Sequence, residues 1–382
     1  MKIWQTVIGS AQSLTDGLRN VSSAPWNLVL VFGAVGRFGA PEFVRTLTEA
    51  FPGAALAGCS SAGEITRGGI QEESCVVTAV RFDSGTSVRA VSARVENLTA
   101  SYTCGAELGR SLAADDLTAV LVFGCGLDIN GSALIDGLAA EIDSSVPVSG
   151  GLAGDGGAFR LTWTLGPGGV SDREVVAVGF YGGGARFGHG SFGGWEPFGP
   201  TRKITRASGN ILYELDGESA LAIYKRYLGD YASGLPASGL LYPLEMLNEN
   251  HSTLGLIRTI LGVDEAAGSL ILAGAVDERG YLRLMHASTG ALIDGAEKAA
   301  QASLGRLVDA GENGLALLVS CVGRKLVMGD QVDDEILAVA DQVGAGFTLT
   351  GFYSYGEICP MEGMKECKLH NQTMTVTLLT ES

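Results

Sequence analysis

One strand–helix–strand pattern occurs three times along the chain, and no other feature restricts the fold as much. The first copy opens with the apolar run Leu28-Val29-Leu30-Val31-Phe32-Gly33. A helical stretch from Pro41 to Phe51 follows, with Phe43, Val44, Leu47 and Phe51 on one face. Residues 54–58 then lead into Cys59-Ser60-Ser61-Ala62-Gly63-Glu64-Ile65, and the β-branched run 75–80 completes the unit. The second copy has residues 119–124, a helix carrying Leu134, Ile135, Leu138 and Ile142, then residues 146–155 and 175–180. The third has residues 315–320, a helix bearing Ile336, Leu337, Ala340 and Val343, then residues 347–358 and 373–379. Copies one and three share G-x-x-S-x-G-E-I, at Gly58/Ser61/Gly63/Glu64 and Gly351/Ser354/Gly356/Glu357. Two apolar strands joined through a helix form a right-handed parallel crossover. The expected fold is therefore α/β, with two domains of mixed, mostly parallel sheets built from repeated βαβ units.

The segment between copies two and three has a different texture. Residues 187–200 are aromatic and glycine-rich, and a helix from Glu218 to Leu228 stops at Gly229. Residues 230–268 read as irregular, 269–275 and 281–286 as a hairpin, and about 294–307 as a helix. The domain boundary is placed near residue 215, giving domains 1–215 and 216–382.

Charge and cysteine usage narrow the function. The 26 basic and 42 acidic side chains give a net charge of −16. That argues against nucleic acid or an anionic membrane as partner, since both need a positive footprint. Seven cysteines are scattered with no C-x-x-C, and neither a signal peptide nor an apolar run of about 20 residues is evident. These features point to a soluble cytoplasmic protein with reduced thiols.

Catalytic and cofactor signatures are sparse. There is no G-x-x-x-x-G-K-[ST], and Gly150–Gly157 precedes a strand-like segment where a dinucleotide loop would open a helix. Cys321, before Arg324 and Lys325, and a Cys321–His370 pair are weak candidates for covalent chemistry. The four histidines (189, 251, 286, 370) lack metal-binding spacing, although one axial His suffices for haem b. Glu64 and Glu357 hold equivalent places in the repeat, suited to capping or to an amine. Arg324 and Lys325 follow a strand's carboxyl end, where ligands of open sheets sit.

Residues 58–65, Gly150-Gly151-Leu152-Ala153-Gly154-Asp155, Gly194-Trp195-Glu196-Pro197-Phe198-Gly199-Pro200, the segment 212–229, Cys321-Val322-Gly323-Arg324, residues 351–358 and Leu369-His370-Asn371-Gln372-Thr373 together resemble the FIST proteins. The resemblance covers nearly the whole chain. It implies a bacterial sensory input module with N- and C-terminal FIST domains, not an enzyme. One subset of that family, the NosP type, senses nitric oxide through haem. It works with a histidine kinase or a cyclic-di-GMP enzyme (a diguanylate cyclase or phosphodiesterase) in trans. The leading expectation is therefore haem-based nitric oxide sensing, with His370 on the iron and His286 or His189 in reserve. The alternative is a haem-free sensor of amino acids or other small metabolites. In that reading Arg324 or Lys325 holds a carboxylate and Glu357 or Asp155 an ammonium. Ser61, Glu64, Tyr353, Ser354 and Asn371 complete that candidate set, and a homodimer is left open.

Overall fold

Gly58, Gly150 and Gly351 mark the same place in each copy. Their φ angles are 153°, 135° and 159°. A Cβ there would lie 1.9 Å, 2.0 Å and 1.8 Å from the carbonyl oxygens of Val31, Val122 and Leu318 on the neighbouring strand. Only glycine allows that approach, so the copies align residue for residue around it.

The structure, a computed structural model, describes residues 1–22, 24–83, 85–307, 311, 313–361 and 366–381. Copy one comprises β1 (Lys2–Ile8), α1 (Leu14–Gly17), β2 (Leu28–Gly33), α2 (Val35–Phe38) and α3 (Phe43–Ala50), followed by β3 (Ala55–Ser60), β4 (Glu64–Thr66), β5 (Gly69–Gln71) and β6 (Cys75–Arg81). Copy two comprises β7 (Ser87–Arg94), α4 (Ser101–Leu112), β8 (Leu117–Gly124) and α5 (Gly131–Ala139), followed by β9 (Val148–Leu152), β10 (Thr164–Gly166), β11 (Gly169–Ser171) and β12 (Glu174–Tyr181). Copy three begins with β13 (Ala185–Phe192) and is then interrupted. The interruption holds β14 (Glu196–Ser208), β15 (Ile211–Leu215), β16 (Glu218–Ser219), α6 (Ala220–Leu228), β17 (Leu244–Leu247), β18 (Thr253–Arg258), β19 (Ile260–Asp264), β20 (Ser269–Leu272) and β21 (Tyr281–His286). Copy three resumes with α7 (Thr289–Arg306), β22 (Gly314–Cys321), α8 (Val322–Met328) and α9 (Val332–Val343). It ends with β23 (Phe347–Ser354), β24 (Gly356–Pro360), β25 (Cys367–His370) and β26 (Met374–Glu381).

Each copy builds one sheet and lends a hairpin to another. The orders are β1-β6-β2-β3-β10-β11, β7-β12-β8-β9-β24-β25 and β13-β26-β22-β23-β4-β5. Copy two's hairpin thus closes the sheet of copy one, copy three's that of copy two, and copy one's that of copy three. The cycle locks the copies into one body. Its centre is aromatic: the ring centroid of Phe32 lies 5.6 Å from Phe123 and 4.8 Å from Phe352. All three rings are buried, and such pairs contribute about 0.5–1.5 kcal/mol each beyond their area.

The chain is α/β with mixed sheets, as the repeats imply. Parallel pairing is confined to β2–β3, β8–β9 and β22–β23, one pair per repeat sheet. Every other described pairing is antiparallel, so antiparallel neighbours outnumber parallel ones in each repeat sheet. The interruption forms an eight-stranded antiparallel sheet of its own. The cut expected at residue 215 falls at the end of β15, inside that sheet. Residues 269–286 are not a hairpin: β20 pairs with β15 and β19, and β21 with β14 and β17. The stretch 230–268 carries three strands, too short and too broken by bulges to show alternation.

Candidate functional site

The serine and carboxylate of the shared octapeptide point at each other. In copy one, Ser61 Oγ donates to Glu64 Oε1, while the Ser74 amide (3.2 Å) and hydroxyl donate to Oε2. In copy three, Ser354 Oγ donates to Glu357 Oε1 at 2.7 Å, and Thr373 donates to Oε2 through its amide at 3.1 Å and its hydroxyl at 2.9 Å. Each clasp fastens the strand after the glycine to the start of the closing strand. Burial pushes both carboxyls up to about 7, against the pull of these hydrogen bonds. Copy two has Ala153 and Gly156 at the corresponding places and no clasp.

Arg324 is completely buried and committed to the fold. Its Nε and Nη2 meet Glu335 Oε2 at 3.0 and 2.7 Å. The rest of the guanidinium donates to the carbonyls of Gly193 and Leu292. Ser320 and Tyr353 donate to Glu335 Oε1 at 2.9 and 2.6 Å, so Tyr353 is occupied too. The sequence reading missed Glu335. Its signal was an acidic residue beside Ile336 on the apolar face of α9.

Asp155 ties its own loop. It accepts from the amides of Phe159 (2.8 Å), Arg160 (2.6 Å) and Leu161 (3.0 Å) and from Tyr355 Oη. Phe159 then stacks on Tyr355 with centroids 4.2 Å apart.

One cavity nevertheless gathers candidates from all three copies. It measures about 280 Å³ and is lined by Ser61 and Glu64 from copy one, Asp155 from copy two and Lys325 from copy three, with Glu72 and Glu73 at its edge. Lys325 Nζ donates to Ala62 O at 2.8 Å and to Glu72 Oε1 at 2.5 Å, and lies 5.9 Å from the Tyr353 ring centroid. The Lys325 and Glu72 side chains are 21% and 65% exposed, so this pair is reached by water.

The histidines do not converge. His370 is 5% exposed, its Nε2 lies 3.0 Å from Cys359 O, and burial pushes its pKa down to about 4. Because a carbonyl only accepts, Nε2 carries the proton. The ring borders a second cavity of about 370 Å³ with Phe192, Trp195, Met285 and Met361. His286 sits at the end of β21 against Phe198, 5.8 Å between centroids, and does not line that cavity. His189 is on β13 opposite Thr377, with Nδ1 buried and unpartnered. Asn371 is buried with Oδ1 unpartnered, and its neighbour Gln372 accepts from Trp195 Nε1 and donates to Leu240 O. Cys321 is buried, and burial raises its thiol pKa far above the ordinary value. Among the described residues no cluster of metal-binding side chains occurs, and no helix is long and apolar enough to cross a membrane.

Comparisons with known proteins agree with the sequence motifs. The FIST N domain matches residues 27–218 and the FIST C domain residues 220–360. An uncharacterised protein from Methanocaldococcus jannaschii, MJ1623, is 32% identical over 102 residues, 26% of this chain and only 19% of its own length. Two cyanuric acid hydrolase structures, one from A. caulinodans, align over 99% and 100% of this chain and 98% and 99% of their own. Both are 11% identical, with TM-scores of 0.36 and 0.35. The chain therefore belongs to the FIST family of sensory, ligand-binding signalling domains.

Proposed function

We propose that this chain senses a small zwitterionic metabolite, an amino acid or close derivative, in the cavity beside Lys325, and passes the signal to a partner enzyme such as a histidine kinase or cyclic-di-GMP enzyme. One observation carries the reading: three sequence-distant copies deliver Glu64, Asp155 and Lys325 to one water-accessible cavity. A ligand carboxylate replaces Glu72 on Lys325, and the released Glu72 receives the ligand's ammonium. The exchange is cheap, because an exposed ion pair is worth only about 0–1 kcal/mol. Lys325 lies on α8 next to Arg324, which holds Gly193, Leu292 and Glu335. A pull on Lys325 therefore reaches the junction with the inserted sheet. The proposed role is binding rather than catalysis, in keeping with a Cys321 thiol that burial keeps protonated.

Haem does not fit the residues present. The proton-bearing Nε2 of His370 is held by the Cys359 carbonyl, and ligation through it would break that bond. Among the described residues no lysine or arginine lines the His370 cavity to receive propionates, and the charged residue of that lining is Glu245, already paired with Arg283. His286 and His189 lie elsewhere. Protein from haem-replete cells is expected to show no Soret band. A strong band abolished by His370→Ala would reinstate haem.

Calorimetry against a panel of amino acids tests the ligand class. Heat from at least one member, weakened tenfold or more in Lys325→Ala, is expected. No heat from any member overturns the proposal.

A further inference from the structure

The cyclic exchange of hairpins leaves three equivalent seams, each between the first half of a copy's third strand and the leading strand of the next copy. Two are filled. Where β23 meets β1, Gln5 Nε2 donates to Leu349 O at 2.8 Å. Arg67, on the β4–β5 turn, donates to the carbonyls of Ala340, Gly344 and Phe347 at the end of α9 and beyond. Where β9 meets β13, the longer β24–β25 hairpin covers the strand, and Cys367 Sγ donates to Val148 O at 3.1 Å.

The seam between β3 and β7 has lost both filling side chains. Aligned on Gly58 and Gly351, Leu349 corresponds to Leu56, Phe347 to Ala54, and Gly344, which caps α9, to Phe51, which caps α3. The strand registers put Ala90 where Gln5 stands. The matching turns Thr66-Arg67-Gly68-Gly69 and Gly166-Pro167-Gly168-Gly169, with φ of 101° at both final glycines, put Pro167 where Arg67 stands. The result is an open cavity of about 630 Å³ that includes Phe51, Ala54, Leu56, Ala90 and Pro167 in its wall. Ala55 N donates to Asn27 O, so the alternation of the parallel ladder turns the Leu56 peptide toward this cavity. Pro167 has no N–H to offer that carbonyl. Independently, Thr86 lines the cavity, is only 5% exposed, and its hydroxyl has no partner.

We propose that this open seam is a second ligand site, distinct from the Lys325 cavity, that takes a small molecule bearing a guanidinium group. The ligand supplies what the chain itself provides in the matching seam: a planar fork of N–H donors on the carbonyls at the end of the helix, extended by a donor to the Leu56 carbonyl. Among the described residues Arg67 is held there by carbonyls, with no carboxylate bonded to it, so the open seam needs none. Arg89, the cation of the lining, is turned to Tyr181 Oη at 2.7 Å. The chain's net charge of −16 draws a cation in.

Thermal shift and calorimetry of the full chain with agmatine and methylguanidinium, against butylamine as a control, test the site. Agmatine is expected to bind and raise the melting temperature, with butylamine at least tenfold weaker. The Ala90→Gln/Pro167→Arg variant, which refills the seam, is expected to abolish agmatine binding. Thr86→Val, the milder change, is expected to weaken it several-fold. Lys325→Ala is expected to leave it unchanged, which separates this site from the amino-acid cavity. Absence of agmatine binding to the unmodified chain, or full binding in the refilled variant or in Thr86→Val, would overturn the proposal.

Discussion

Copies one and three carry the same hollow between the end of the second strand and the turn before the closing strand, yet only one is open. In copy one, a Cβ added at Gly36 would meet nothing within 4 Å. In copy three the matching glycine, Gly323, lies against the Gln372 side chain, 2.4 Å from such a Cβ. Gln372 corresponds to Glu73: both precede the clasping Ser or Thr, and both have left-handed backbones, φ 63° and 53°. One side chain folds inward and bonds the Leu240 carbonyl, in a helical turn of the inserted segment. The other stays at the mouth of the Lys325 cavity. The arginines diverge likewise. Arg37 donates to Gln12 O at 2.9 Å and to Gly9 O, and Arg324 donates to the equivalent Gly193 O but also holds Glu335. In copy three the hollow is a structural joint to the inserted segment, and in copy one it is open space.

The largest expected effect breaks that joint. Arg324→Ala leaves Glu335 buried and uncompensated, so a loss of about 3–5 kcal/mol is expected in chemical denaturation. Arg37→Ala should cost about 1 kcal/mol. Equal losses would contradict the division of roles.

The carboxyls give a pH signature. Glu357 is raised by burial from 4.5 to about 7, so the folded chain binds the extra proton between those values. Its contribution to stability therefore falls as pH rises from about 4.5 to 7, by at most roughly 3 kcal/mol. His370, lowered by burial from 6.5 to about 4, acts oppositely and loses stability as pH falls through that window. Glu357→Gln should remove the first slope and tilt the melting profile toward higher stability with rising pH from 4.5 to 6.5. An unaltered profile would show that Glu357 is ionised in the folded state.

Smaller effects sharpen the contrast. Gln372→Ala should empty the copy-three hollow and cost about 1–3 kcal/mol, since Leu240 O loses its donor. The matching Glu73→Ala should stay within about 0.5 kcal/mol by thermal melting. Lys325→Ala should change stability by no more than that while suppressing ligand binding.

The three βαβ units were legible because strands buried on both faces read as unbroken apolar runs and each crossover helix shows its own face. The exchange of β4–β5, β10–β11 and β24–β25 was not. Three-residue strands such as Glu64–Thr66 carry no periodicity, and nothing local names a strand's partner. The family motifs were legible as motifs, but not which of their side chains are bonded inside the fold. Arg324 and Tyr353 both bond Glu335, and Ser354 bonds Glu357, in the interior, where a polar group must find a partner. Glu335, which takes the bonds of Arg324 and Tyr353, stands outside every one of those motifs. That Ser61, Glu64, Asp155 and Lys325 line one cavity is visible only in the fold, because they come from three copies far apart in sequence.

A crystal structure of the chain grown with the amino acid that releases most heat tests the account most directly. Ligand density beside Lys325 Nζ, with Glu72 displaced and the Gln372 hollow unchanged, is the predicted result. Density elsewhere with the Lys325–Glu72 pair intact would contradict it.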